Sequence, residues 1–108
     1  MVRSLVLGAS CVLGLATAVS AQDVAKGQQV YTTQKCSLCH SIAGKGNPKG
    51  PLDSVGSKLK PEEIRAWIVD APGMTTKTSA ARKPAMKSYN LPKEDLDALV
   101  AYMASLKK

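Results

Sequence analysis

The sequence predicts an all-α fold of about three to four helices in one small domain. Three observations carry that reading. Apolar residues recur at helical spacing in several stretches, two of those stretches open with proline followed by acids, and no segment sustains the period-2 alternation of a strand. The 108 residues suffice for one domain and contain no internal repeat or domain linker.

Residues 1–21 read as a leader rather than as part of that fold. Met1-Val-Arg3 carries one positive charge, Leu5 to Val19 is apolar and small, and Val19-Ser20-Ala21 offers small residues for a signal peptidase. Cleavage after Ala21 is preferred, with Ala18 as the alternative site. The apolar run is shorter than the roughly 20 residues of a membrane span, which disfavours an uncleaved anchor. Cys11 lies inside that run, so it reads as one more leader residue and not as a lipid-attachment site. Removing 21 residues leaves a domain of 87, residues 22–108, with no transmembrane span expected.

The first helix is expected over Asp23 to Thr33, with Val24, Gly27 and Tyr31 on one side and Asp23 as N-cap. Ser41 to Lys58 is rich in Gly, Pro, Lys and Ser and reads as loop. The second helix starts within Leu59-Lys60-Pro61-Glu62-Glu63, with proline at an early helical position where its missing N–H costs nothing. Glu62 and Glu63 complement its dipole, and it carries Ile64, Trp67 and Ile68 to about Asp70. Pro72-Gly73 is expected to break the chain, and Met74 to Lys83 to form loop with at most one helical turn. Pro84 to Leu91 reads as extended or turned. A last helix follows Leu91-Pro92-Lys93-Glu94-Asp95, with Leu96, Leu99, Val100, Met103 and Leu106 as its apolar stripe.

These helices have little with which to build a core. The chain has no Phe, one Trp and three Tyr. A domain of this size usually needs a staple. After cleavage only Cys36 and Cys39 remain, too close in sequence for a disulfide to stabilise much. A large apolar cofactor would supply the missing core.

Cys36-Ser37-Leu38-Cys39-His40 is the attachment pattern of c-type haem. Two thiols on one turn can each add across a vinyl group of the same porphyrin, and the next residue presents an imidazole to the iron. A thioredoxin-like pair would sit near a βαβ unit, and a zinc site needs four ligands. Neither pattern is present. His40 is the sole histidine, so the opposite axial ligand must be another kind of residue. Methionine is a known haem ligand. Met74, Met86 and Met103 survive cleavage. Met103 lies on the apolar stripe and reads as core. Met74 and Met86 lie in irregular segments, and Met86 is favoured because Pro84 stiffens its approach. A five-coordinate iron and a lysine ligand stay open at this point.

The chain resembles the class I, monohaem cytochromes c, in particular the small bacterial periplasmic kind, over essentially residues 23 to 107. The resemblance rests on Gly27 and Tyr31, Cys36, Cys39 and His40, Gly50-Pro51-Leu52, Trp67, Pro84-Ala85-Met86 with Tyr89, and Ala101-Tyr102-Met103-Ala104-Ser105-Leu106. It implies the cytochrome c fold around one covalent haem c, with first and last helices crossing at Gly27 and Tyr102. It implies His40 and Met86 as axial ligands of the iron. It also implies that the Pro51 carbonyl receives the other imidazole N–H, and that Trp67 lies against the haem near a propionate. As a plain reading of its helix, Trp67 is equally a core aromatic.

The function expected is periplasmic transfer of single electrons, with no catalysis. Removal of Arg3 leaves 14 Lys and Arg against 8 Asp and Glu, a net +6. Lys35, Lys45, Lys49, Lys83 and Lys87 lie near the motif and the Met86 segment. They would either steer an acidic redox partner or simply keep the surface soluble. With no arginine cluster and few aromatics, nucleic-acid binding is not expected. The alternatives are a haem subunit of a larger redox enzyme and a sensor or peroxidase-like protein with an open iron site.

Overall fold

The computed structural model describes residues 20–108. The leader reading of residues 1–21, the place of Cys11 within it and most of its cleavage region lie outside the described residues. Five helices appear in this range. They are α1 (Ala21–Thr33), α2 (Val55–Lys58), α3 (Pro61–Val69), α4 (Ala71–Thr78) and α5 (Lys93–Ser105). A 3-10 turn covers Cys36–Leu38, and two-residue strands β1 (Ser41–Ile42) and β2 (Lys45–Gly46) pair antiparallel in the loop after the motif.

Helices α1 and α5 cross closely, as expected. At Gly27 an added Cβ would sit 2.6 Å from the Cβ of Tyr102 and against the Ala98 backbone. Only glycine permits that approach. Beside the crossing, Tyr31 and Tyr102 meet edge to face, their ring centroids 6.0 Å apart at 75°. Val30, Tyr31, Ile64, Ile68, Leu99, Val100, Tyr102 and Met103 form the buried cluster, so α3 packs on the same seam. Lys26 reaches Glu94 and Asp95 across the solvent side of the crossing, at 3.4 and 3.6 Å.

Helix α1 starts earlier than expected. Ser20, not Asp23, caps it, its hydroxyl accepting from the Asp23 N–H at 3.2 Å. Helix α3 begins at Pro61, within the stretch expected to start it. Glu63 folds back to accept from the Lys60 N–H at 3.1 Å.

Helix α4 corrects the reading of Pro72-Gly73 as a break and of Met74 to Lys83 as loop. Proline in the first turn gives up no helical hydrogen bond. The Asp70 carboxylate caps the new helix by accepting from the Gly73 N–H at 3.2 Å. Met74 is thereby buried in a helix instead of standing in a loop. The chain leaves α4 through Ser79 in the left-handed region at φ 56°. The loop expected over Ser41 to Lys58 also holds more structure than composition showed, namely the β1–β2 hairpin and the single turn of α2. Gly56 in α2 donates to the Leu106 carbonyl at 2.8 Å, tying that turn to the end of α5.

Candidate haem site

A cavity of about 650 Å³ opens among α1, the motif turn, α3, α5 and the segment after α4. Cys36, Cys39, His40, Trp67 and Met86 all line it. Leu52, Leu59, Ile64, Ile68, Leu99 and Met103 supply most of its apolar wall. Five of the six residues singled out in the sequence therefore meet in one space. Pro51 does not line it.

The motif is shaped by backbone bonds. Lys35 enters it left-handed at φ 57°, and the His40 N–H donates to the Cys36 carbonyl at 2.9 Å. Asn47 gathers the turn. Its N–H lies 2.9 Å from the His40 carbonyl and 3.1 Å from that of Ser37, and its side-chain amide donates to Leu38 at 3.2 Å. Ser41 and Pro51 form an isolated parallel bridge that closes the loop.

His40 is oriented by the Gly50 carbonyl, 3.1 Å from Nδ1, and not by that of Pro51. The same Gly50 oxygen accepts from the Ser41 N–H at 3.0 Å. Pro51 is exposed, and its part is to hold the loop in the bridge to Ser41. With Nδ1 as donor, Nε2 keeps its lone pair for a metal. Burial lowers the proton affinity of His40 below the ordinary imidazole value, although the Gly50 carbonyl pulls the other way, and the Arg82 charge lowers it further. The neutral, ligating form is thus favoured. Burial likewise pushes the Cys36 thiol up, reinforced by its neighbour Cys39.

Of the three methionines among the described residues, Met86 and Met103 reach the cavity and Met74 does not. Met103 is buried on α5 as part of the apolar wall. Met86 is half-buried on the irregular segment between α4 and α5. That segment is pinned to the α3–α4 junction. The Tyr89 N–H donates to the Ile68 carbonyl at 2.8 Å, and the Ala71 N–H donates to Ser88 Oγ at 3.2 Å. Trp67, also half-buried, faces the cavity from α3.

Two features escaped the sequence reading. Leu38, between the motif cysteines, lines the cavity yet is 70 % exposed. Arg82 also lines it, and donates from Nη2 to the Cys39 carbonyl at 2.6 Å. A signal for Arg82 was available. In a chain with 12 lysines, an isolated arginine offers the one thing lysine lacks, a planar fork of donors. Of the five lysines expected near the site, Lys35 and Lys87 reach the cavity, while Lys45, Lys49 and Lys83 are exposed away from its lining.

A model of the cytochrome c family matches residues 24–107. The chain belongs to the cytochrome c family. Its cofactor is haem c, covalently bound, and the domain is of the electron-carrying kind. The chain is also 30% identical over 92 residues to cytochrome c oxidase subunit 2 of Alkalihalophilus pseudofirmus, an alignment covering 76% of this chain and 25% of that protein. It thus spans about a quarter of that relative's length. No solved structure matches the chain significantly.

The described residues fit a haem. The cavity wall is apolar, two thiols and an imidazole converge on it, and the Tyr31 hydroxyl on its lining is buried with no hydrogen-bond partner among the described residues. Burial pushes the Tyr31 phenol up to about 12. Among the described residues no group of three or more His, Cys, Asp or Glu side chains could hold a metal ion. Among them, too, no helix is long and apolar enough to cross a membrane.

Proposed function

We propose that this chain is an exported, periplasmic carrier of single electrons whose haem is attached at Cys36 and Cys39 and ligated by His40 and Met86. The observation that carries the reading is the meeting of these four side chains on one apolar cavity. When bound, the haem supplies a one-electron Fe(III)/Fe(II) couple. The protein's part is to hold and insulate it. Gly50 fixes the His40 ring, the apolar wall excludes water, and Trp67 packs as one side of the pocket. Met86, as the second protein ligand, would raise the potential of the bound haem and would leave no open site for a small-molecule substrate. Lys35 and Lys87 beside the cavity would steer an acidic partner, an attraction that weakens with salt.

The test is spectroscopic. The ferric protein is expected to show the methionine–iron charge-transfer band and to bind cyanide slowly. Met86→Ala is expected to lose the band and bind cyanide rapidly. Survival of the band in that variant would eliminate Met86. Export is tested by fractionation and by the mass of the mature chain, expected to begin at Gln22. Cleavage after Ala18 instead would retain the Ser20 cap of α1.

A second reading, a haem subunit docked in a larger redox complex, is favoured by the oxidase-subunit relative and by exposed Leu38 at the cavity. Gel filtration separates the two. A monomer reduced by soluble partners with salt-sensitive rates supports the free carrier, and co-migration with a catalytic chain supports the subunit.

A further inference from the structure

Between α4 and α5 the chain runs from Ser79 to Pro92 without regular structure, carrying Met86. On one side of Met86 it is tied to the α3–α4 junction by Ser88 and Tyr89. On the other side, beyond the bonds of the Ser79 and Ala80 N–H groups to the end of α4, its polar tie is Arg82, which reaches 43 positions back to the Cys39 carbonyl at 2.6 Å. That carbonyl takes no backbone N–H among the described residues. The guanidinium also lies over Gly50. An added Cβ there would fall 3.0 Å from its central carbon and against both Arg82 and the Cys39 oxygen. Arg82 thus seats in a notch made by the residue before His40 and the residue that orients His40.

We propose that Arg82 is a positioning residue that clamps the Met86 segment to the backbone carrying His40, holding the second axial side of the haem closed. The inference rests on the Met86 reading and names what keeps that ligand in place. A hydrogen bond from a charged donor to an otherwise unused carbonyl lies at the stronger end of the range for such bonds. Its fork also fits the notch in a way a lysine ammonium does not. Breaking it frees the half of the segment before Met86, while Ser88 and Tyr89 still hold the other half. The consequence is local opening at the iron with the helical frame intact.

The experiment uses the ferric holoprotein with Arg82→Ala and Arg82→Lys. Imidazole entry, which requires Met86 to leave, is expected to accelerate roughly tenfold in Arg82→Ala, and by less in Arg82→Lys. Amide exchange is expected to rise in residues 80–87 and to stay unchanged in α1 and α5. Unchanged entry and unchanged exchange in 80–87 would overturn the proposal. So would an equal rise of exchange throughout the chain, which would mean general destabilisation. Met86→Ala, run in parallel, separates the two readings. If it leaves imidazole entry unaltered, Met86 is not the ligand, and exchange in residues 80–87 alone then decides whether Arg82 is the clamp.

Discussion

On the His40 side of the cavity, residues 36–52 are bound to one another through a continuous set of backbone hydrogen bonds gathered by Asn47 and Gly50. On the Met86 side, residues 79–92 have no regular structure. Ala80 ties their start to α4, Tyr89 and Leu91 pack their end on the core, and Arg82, Ser88 and Tyr89 make the hydrogen bonds in between. The histidine is therefore fixed by a loop that cannot move in part, and the methionine by a strap with separate fastenings. The difference is one of local stability: the strap can open without the fold opening. Substitutions on the two sides should accordingly fail in different ways.

The largest effect is expected at Gly50. Its backbone is not left-handed, so alanine would meet no conformational barrier. The obstacles are the Cys39 carbonyl, which is backbone and cannot step aside, and the Arg82 guanidinium, whose displacement would also loosen the Met86 segment. Gly50→Ala should cost about 1–3 kcal/mol in urea unfolding of the holoprotein, the range for overpacking a close contact. Because Gly50 also orients His40, the loss should come with altered histidine–iron spectra. An unchanged urea midpoint would mean that the His40 loop is looser than its bonding indicates.

A smaller and more local effect is expected at Ser88. Its hydroxyl accepts the N–H of Ala71, a fully buried residue. Ser88→Ala leaves that donor without its partner and should cost about 1 kcal/mol, since water can approach from the exposed Ser88 side. The loss should appear as faster imidazole entry and faster exchange in the strap, with the His40 spectra unchanged. Disturbed histidine spectra would show that the two sides are not mechanically separate.

The same contrast explains what could be read in the sequence. Helices α1 and α5 were legible because their apolar spacing is periodic and local, whereas their crossing at Gly27 and Tyr102 came from the resemblance to the class I cytochromes c, since a contact between the two ends of the chain has no local period. The motif was legible because the chemistry of haem attachment needs those residue types at that spacing. Helix α4 was hidden because Pro72-Gly73 has the composition of a break. It takes the position of Pro72 within the first turn, with Asp70 free to cap, to make it a start. The acceptor for His40 was displaced by one residue because loop register is decided by the Ser41 bridge and the Asn47 hub, neither of which has a sequence period. Arg82 was hidden because its partner is 43 residues away and is a backbone carbonyl, which every residue has.

Asp97 gives the smallest effect and a control for both sides. On the outer surface of α5 it accepts from Arg65 of α3 at 2.6 Å and from Lys93 at 2.7 Å. The hydrogen bonds from Lys93 and Arg65 hold its carboxyl below the ordinary value of 3.8. The folded form therefore binds that proton more weakly than the unfolded chain. The stabilisation is complete above the ordinary carboxylate range and is lost as pH falls through it. Asp97→Asn should lower the melting temperature slightly at pH 7 and not at about pH 2, where the wild-type carboxyl is itself protonated. The groups are exposed, so added salt should shrink even the neutral-pH difference. Because this pair braces α3 on α5 and touches neither the His40 loop nor the Met86 strap, imidazole entry should match the wild type. Faster entry in Asp97→Asn would mean that the strap responds to the helical frame, and the separate-fastening account of the methionine side would fail.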